Sequence, residues 1–79
     1  MSRTVDHLVK MANDISDYFA SETDRACAVD GVATHIQRYW EPRMRKKICA
    51  HLDAGGAGFS DLARAGIRQL ADREGAAVR

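Results

Sequence analysis

At 79 residues, 46% apolar and 29% charged, the chain has the balance of one small globular domain, neither disordered nor membrane-embedded. A domain of this size buries only about 60–65% of the surface its unfolded chain exposes, so its isolated core is expected to be marginal and completed by a partner. No apolar run approaches the roughly 18 residues of a membrane span, and the start Met1-Ser2-Arg3-Thr4-Val5-Asp6 lacks an apolar signal core, so the expected location is the cytoplasm. The net charge of +1 conceals a gradient. Residues 1–30 hold six acids and three bases, residues 31–52 hold five bases and one acid, and the remainder balances.

From Val5 to Phe19 the apolar residues Val5, Leu8, Val9, Ala12, Ile15 and Phe19 recur at three and four, the stripe of an amphipathic helix. Met11 and Tyr18 flank that stripe on one side and Asn13 on the other. Thr4 and Ser2 are both candidate N-caps. The polar run Ser21-Glu22-Thr23-Asp24 breaks the pattern and offers caps for a second helix, whose expected inward residues are Ala26, Val29, Val32, Ala33, Ile36 and Trp40. Gly31 lies inside it, at a cost of roughly 1 kcal/mol against alanine; close packing of another backbone is one reason for it.

Pro42 disfavours a helical conformation at Glu41 yet suits the first position of a new helix, which places a sharp corner near Trp40-Glu41. The third helix runs to about Ala54, with Met44, Ile48 and Leu52 on one line and Lys46 and Lys47 pointing away. Gly55-Gly56-Ala57-Gly58 ends it, and Ser60 caps a fourth helix with Leu62, Gly66, Ile67 and Leu70 on its apolar face. The tail from Asp72 to Arg79 is expected to fray. Strand alternation and internal repeats are absent from the sequence. The fold class is therefore all-α, a single domain over residues 1–79 built as a small bundle of about four short helices with a Pro-fixed corner between the second and third.

The chemistry-bearing residues form no recognisable catalytic pattern. Among His7, His35, His51, Cys27 and Cys49, no pair has the i, i+3 or i, i+4 spacing that aims two ligands at one ion. The two cysteines are expected to be reduced, partly buried small residues. The glycine cluster lacks the Lys-Ser/Thr ending of a phosphate loop and follows a helix rather than a strand. A chain this short seldom builds the cleft a nucleophilic site requires.

What remains is His35-Ile36-Gln37-Arg38-Tyr39-Trp40-Glu41-Pro42-Arg43-Met44-Arg45, which holds the only tryptophan, the only proline and three arginines. Two helices joined by a short turn, with Arg43, Arg45, Lys46 and Lys47 opening the second, have the outline of a helix-turn-helix. An acidic first helix and a net charge near zero weigh against phosphate binding. In the plainest reading Trp40 plugs the hinge and the arginines are solvated. As an interface, the same corner would present tryptophan, tyrosine and arginine, the residues that dominate binding hot spots, on a rigid support.

The pattern Leu8-Val9-x-Met11-Ala12-Asn13-x-Ile15, then His35-Ile36-x-Arg38-Tyr39-Trp40-x-Pro42-Arg43-Met44-Arg45, then His51-x-Asp53-x-Gly55-Gly56 and a short last helix resembles the delta subunit of the soluble NAD-dependent formate dehydrogenases. The Trp-x-Pro-Arg-Met-Arg core is the specific part, and the resemblance spans nearly the whole chain. It implies a non-catalytic accessory protein that binds the catalytic alpha subunit of a molybdenum- or tungsten-containing enzyme and supports its assembly, stability or activity. It implies no cofactor in this chain. The bis-molybdopterin guanine dinucleotide and iron–sulfur clusters belong to alpha, and FMN, further clusters and the NAD site belong to the beta and gamma subunits. A transient maturation chaperone for molybdenum-cofactor insertion is the alternative within that resemblance; a small helix-turn-helix nucleic-acid binder is the alternative outside it. The expected partner-binding residues are Asn13, Arg38, Tyr39, Trp40, Arg43 and Arg45. Within them, Trp40 with Met44 is expected chiefly to hold the corner, while Arg38, Arg43 and Arg45 meet the enzyme.

Overall fold

The computed structural model describes the backbone of residues 3–78, and the side chains of residues 4–75. Four helices follow one another: α1 (Arg3–Phe19), α2 (Arg25–Tyr39), α3 (Pro42–Asp53) and α4 (Asp61–Val78), with no strand among the described residues. The α2–α4 interface is the principal one; α1 packs against all three other helices and α3 rests on α4 and α1.

Each helix is set by local chemistry and then held by one core. In α1 the buried residues are Leu8, Val9, Ala12 and Ser16, with Val5, Met11, Ile15 and Phe19 packed partly buried against them. Ser16 is absent from the apolar stripe because it is polar. It is buried because its hydroxyl donates to the Ala12 carbonyl at 2.9 Å, one turn back, which removes the desolvation penalty. Thr4 lies within the first turn rather than at the cap, and Ser2 lies outside the described residues.

Asp24 caps α2, its carboxylate accepting from the N–H groups of Ala26 at 2.9 Å and Cys27 at 3.4 Å. Such a cap is worth about 1 kcal/mol. The inward face of α2 is Ala28, Val32, Ala33 and Ile36, so Ala26, expected inside, is exposed and Ala28 takes that place. The cap starts the helix at Arg25, and the spacing 28, 32, 36 follows the α2–α4 seam.

Gly31 and Gly66 mark the two tightest packings. A Cβ on Gly31 would lie 2.6 Å from Phe19 Cε1, so the space is taken by an aromatic ring of α1, not by a backbone as the sequence suggested. On Gly66 it would lie 2.7 Å from Val32 Cβ and closer still to one of its methyls, which lets α4 approach α2 closely. Ile36, Ile48, Ile67 and Leu70, all fully buried, centre the core. Each such side chain contributes about 1.5–3 kcal/mol relative to exposure.

The helix ends obey the turn chemistry. At the corner, Trp40 and Glu41 are extended, with φ/ψ of −93/143° and −64/151°, and Pro42 opens α3. At the far end of α3, Gly55 N–H donates to Leu52 C=O at 3.0 Å and Gly56 N–H to His51 C=O at 2.9 Å, the paired bonds of a Schellman cap. Gly55, Gly56 and Gly58 all have positive φ there. Ser60 then caps α4, accepting from Ala63 N–H at 3.2 Å.

From Asp72, where fraying is expected, the α4 backbone is helical as far as Val78. Its last turns are tied down by charge. Arg73 pairs with Asp30 and donates to Thr34 Oγ1 at 3.1 Å and Gln37 Oε1 at 3.3 Å, all on α2, while Glu74 pairs with Arg45 of α3. These partners lie 29 to 43 residues away in sequence, beyond the range of periodicity.

Candidate partner-binding surface

The corner between α2 and α3 is built around Arg45. A helix leaves its last carbonyls without intrahelical partners. Two of these at the end of α2 face the Arg45 guanidinium. Nη1 donates to Trp40 C=O at 2.7 Å and, more weakly, to Gln37 C=O at 3.5 Å, while Nε donates to Glu74 Oε1 of α4. One side chain from α3 therefore caps α2 and is neutralised by α4, joining three helices. The cation also complements the negative end of the α2 dipole. Beneath it Trp40 is 5% exposed and belongs to the core cluster, with Met44 packed partly buried against that cluster.

Arg45, expected to face a partner, is thus bonded within the fold to Trp40 and Glu74. Asn13 is likewise engaged internally. Its side-chain N–H donates to Gly58 C=O at 3.0 Å and its carbonyl accepts from Ser60 N–H at 2.9 Å, so one amide holds the last residues of the α3–α4 loop before α4. The same loop is strapped by Arg64, which donates to Gly55 C=O at 3.1 Å and Gly56 C=O at 2.8 Å, and by His51 Nε2, which donates to Ala57 C=O at 2.8 Å. Trp40 is buried in the core, while Arg45 and Asn13 are half-buried with their polar groups engaged within the chain.

Arg38, Tyr39 and Arg43 are the candidates that face solvent. All three are exposed, Tyr39 at 72%. Tyr39 is not loose, because its ring lies against that of His35 one turn earlier, 4.8 Å between centroids with a 46° tilt. Arg38 sits in the last turn of α2, where a cation suits the dipole. Arg43 is in the opposite situation. The first turn of α3 has no acid and Glu41 makes no side-chain cap bond, so the Arg43 charge adds to a helix terminus that is already positive. Lys46 and Lys47 are exposed one turn on, and none of Arg38, Arg43, Lys46 and Lys47 makes an ion pair among the described residues. Arg38 and Arg43 flank the held Tyr39 ring in the chain as a cationic rim, with the exposed Glu41 between them.

Beside this rim, between α3 and α4, runs a groove of ≈ 480 Å³ whose walls are chiefly apolar. The sequence pattern does not show it, because the groove exists only where α4 persists beyond Ala71, in a segment expected to fray. A signal was present in Leu70 and Ala71 extending the apolar spacing of α4, but nothing local ties Glu74 to Arg45.

The cysteines differ in setting. Cys49 is half-buried beside the groove, and burial, with Glu74 and Asp53 nearby, pushes its thiol up to about 11. Cys27, expected to be partly buried, is instead exposed at the start of α2, where the Asp24 carboxylate raises its thiol above the ordinary value. Both thiols are therefore protonated at neutral pH, and accessibility decides their order of reaction. Iodoacetamide at pH 8 should label Cys27 first and Cys49 only slowly, checked by peptide mass; equal rates would mean that the α3–α4 seam opens. Among the described residues, no three His, Cys, Asp or Glu side chains converge to hold a metal ion, and no helix is long and apolar enough to cross a membrane.

These features define a small all-α domain whose distinctive region is a stapled corner with an exposed cationic and aromatic rim. The chain belongs to the NADH-dependent formate dehydrogenase delta subunit family, whose model, described as NADH-dependent formate dehydrogenase delta subunit FdsD, matches residues 7–67. That stretch takes in α2, the corner, α3 and the strapped loop whole, with most of α1 and the first part of α4. No curated protein and no solved structure matches the chain.

Proposed function

We propose that this protein is the non-catalytic delta subunit of a cytoplasmic NAD-dependent formate dehydrogenase, binding the catalytic alpha subunit and supporting its assembly, stability or activity. The observation that carries this reading is the family match over residues 7–67. The geometry of the corner supports it with a rim of Arg38, Tyr39 and Arg43 set on a rigid Trp40–Arg45 base. In this reading the molybdopterin, iron–sulfur, flavin and NAD chemistry resides in the alpha, beta and gamma subunits, and this chain contributes surface.

Co-expression with a formate dehydrogenase alpha subunit tests it. The native chain should co-purify, and the triple variant Arg38→Ala, Tyr39→Ala, Arg43→Ala should lose the partner while its helical circular dichroism stays native. Loss of two or more hot-spot side chains corresponds to a weakening of at least about 30-fold. Arg45→Ala should act differently, lowering the melting temperature of the isolated domain by about 10 °C through loss of its charge-assisted bonds. Retention of the partner by the triple variant would move the interface elsewhere. The proportion of delta to alpha in cofactor-loaded and cofactor-free complexes separates a permanent subunit, present in both, from a maturation chaperone, present only in the second.

A further inference from the structure

The last turns of α4 are attached differently from the rest of the helix. Up to Leu70 its inward face is apolar and fully buried, at Ala63, Ile67 and Leu70; beyond Leu70 no side chain among the described residues is buried. A helix in a small domain is held chiefly by the burial of such a face, so that hold ends at Leu70. Gly75 follows inside the helix, where an added Cβ would meet nothing within 4 Å among the described residues, and glycine there weakens the helix against alanine.

Two ion pairs take over at that point. Arg73 reaches α2, where it pairs with Asp30 and donates to Thr34 Oγ1 and Gln37 Oε1, and Glu74 reaches α3, where it pairs with Arg45. Both pairs keep contact with solvent, the Asp30 side chain being 59% exposed and that of Glu74 30%. Salt therefore screens them, whereas the apolar anchors before them carry no charge to screen. Asp30 also accepts from Gln69 Nε2 at 3.1 Å, a bond on the anchored side of Leu70 that does not need Arg73. The change of attachment thus falls between Leu70 and Arg73. Glu74 has a second effect, on the corner. It is the one carboxylate paired with Arg45 among the described residues, while Arg45 also donates to Trp40 C=O at 2.7 Å. Without Glu74 the guanidinium would keep its carbonyl at the end of α2 and lose its counter-ion, in the segment that already exposes Arg38 and Arg43.

We infer that α4 from Asp72 onward is a charge-held latch: it opens as a unit of its own while the core stays closed, and its opening removes the counter-ion of Arg45 and makes the corner more cationic. Segments with few buried apolar contacts and solvent-exposed fastenings are the ones that open locally, below the free energy of global unfolding. The latch rests on the contacts of α4 alone and stands or falls independently of the delta-subunit reading.

Amide hydrogen exchange of the full chain, followed by NMR at constant pH, tests it. Between about 10 mM and 1 M sodium chloride the Debye length falls from roughly 30 to 3 Å. Over that range the protection factors of residues 74–77 should fall at least about fivefold, while those of Ile67 and Leu70 stay within about twofold of their low-salt values. The double variant Asp30→Asn, Glu74→Gln removes the carboxylate from each pair with little change in helix propensity at position 74. It should show the weakened protection at residues 74–77 already at low salt, with no further response to salt and with Ile67 and Leu70 as protected as in the native chain. The Arg45 Nε–H resonance should move with the α4 amides, since its acceptor is Glu74. Equal protection of residues 74–77 in the native and double-variant chains at low salt would mean an end that frays whatever its charges, and would overturn the latch. Parallel loss of protection at Ile67 and Leu70 would overturn it as well, because the pairs would then hold the whole domain. An Arg45 resonance that stays fixed while the α4 amides open would refute the link to the corner.

Discussion

Trp40→Ala should cost about 3–5 kcal/mol, the ordinary penalty for emptying a buried indole site. A domain of this length has a total stability of about 4–12 kcal/mol, so the variant should lose about a quarter of it or more and melt at least about 12 °C lower, measured by circular dichroism. The reason is position. Trp40 is 5% exposed, at the one point where the chain leaves α2 in an extended conformation, and it packs into the cluster that holds Ile36 and Ile48. Its carbonyl also receives the Arg45 guanidinium, so collapse at the indole site would disturb the staple. Trp40→Phe, which keeps most of the ring volume, should lose less than about 2 kcal/mol and still bind the partner. That comparison separates a core role from a hot spot. If Trp40→Ala melts within about 3 °C of the native chain and yet loses the partner, the indole belongs to the interface.

Gly66→Ala should destabilise by about 1 kcal/mol although alanine is the better helix former. The added carbon would fall 2.7 Å from Val32 Cβ, a branched atom close to the α2 backbone that cannot swing aside as the end of a long side chain can. Overpacking of this kind costs about 1–3 kcal/mol and outweighs a propensity gain of about 1 kcal/mol. Introducing Val32→Ala together with Gly66→Ala should recover part of the loss, giving a coupling energy of about 1 kcal/mol in a double-mutant cycle by chemical denaturation. Gly75→Ala serves as the reference, a helical glycine in open space whose replacement should stabilise by about 0.5–1 kcal/mol. Equal effects at positions 66 and 75 would mean that α2 and α4 are not in close contact at Gly66.

Most of the fold was legible because its signals are local. The three-to-four spacing of Leu8, Val9 and Ala12, the Asp24 cap, Pro42 at the start of α3, the Gly55-Gly56 ending and the Ser60 cap each act within one or two turns. The family resemblance was legible for the same reason, since its core is a run of consecutive residues around Trp40 and Pro42. The candidate surface was only half legible. A sequence shows that Arg38, Arg43 and Arg45 are cations near a corner, but it does not show which of them has carbonyls and a carboxylate waiting for it.

That division has a physical basis. The sequence by itself determined four helices, the breaks between them, the Ser60 cap, the corner at Trp40–Glu41 and the cationic character of the segment after it, because propensity, capping and backbone restriction are properties of neighbours in the chain. Only the tertiary structure decided that Arg45 and Asn13 bond within the fold, that Ser16 is buried, that α4 persists past Asp72, and that a groove opens beside Gly75. Each of those depends on a partner far away in sequence or on the space between two packed helices. Hydrogen bonding, ion pairing and steric fit act over a few ångströms once the helices have docked, and a linear pattern holds no record of those distances.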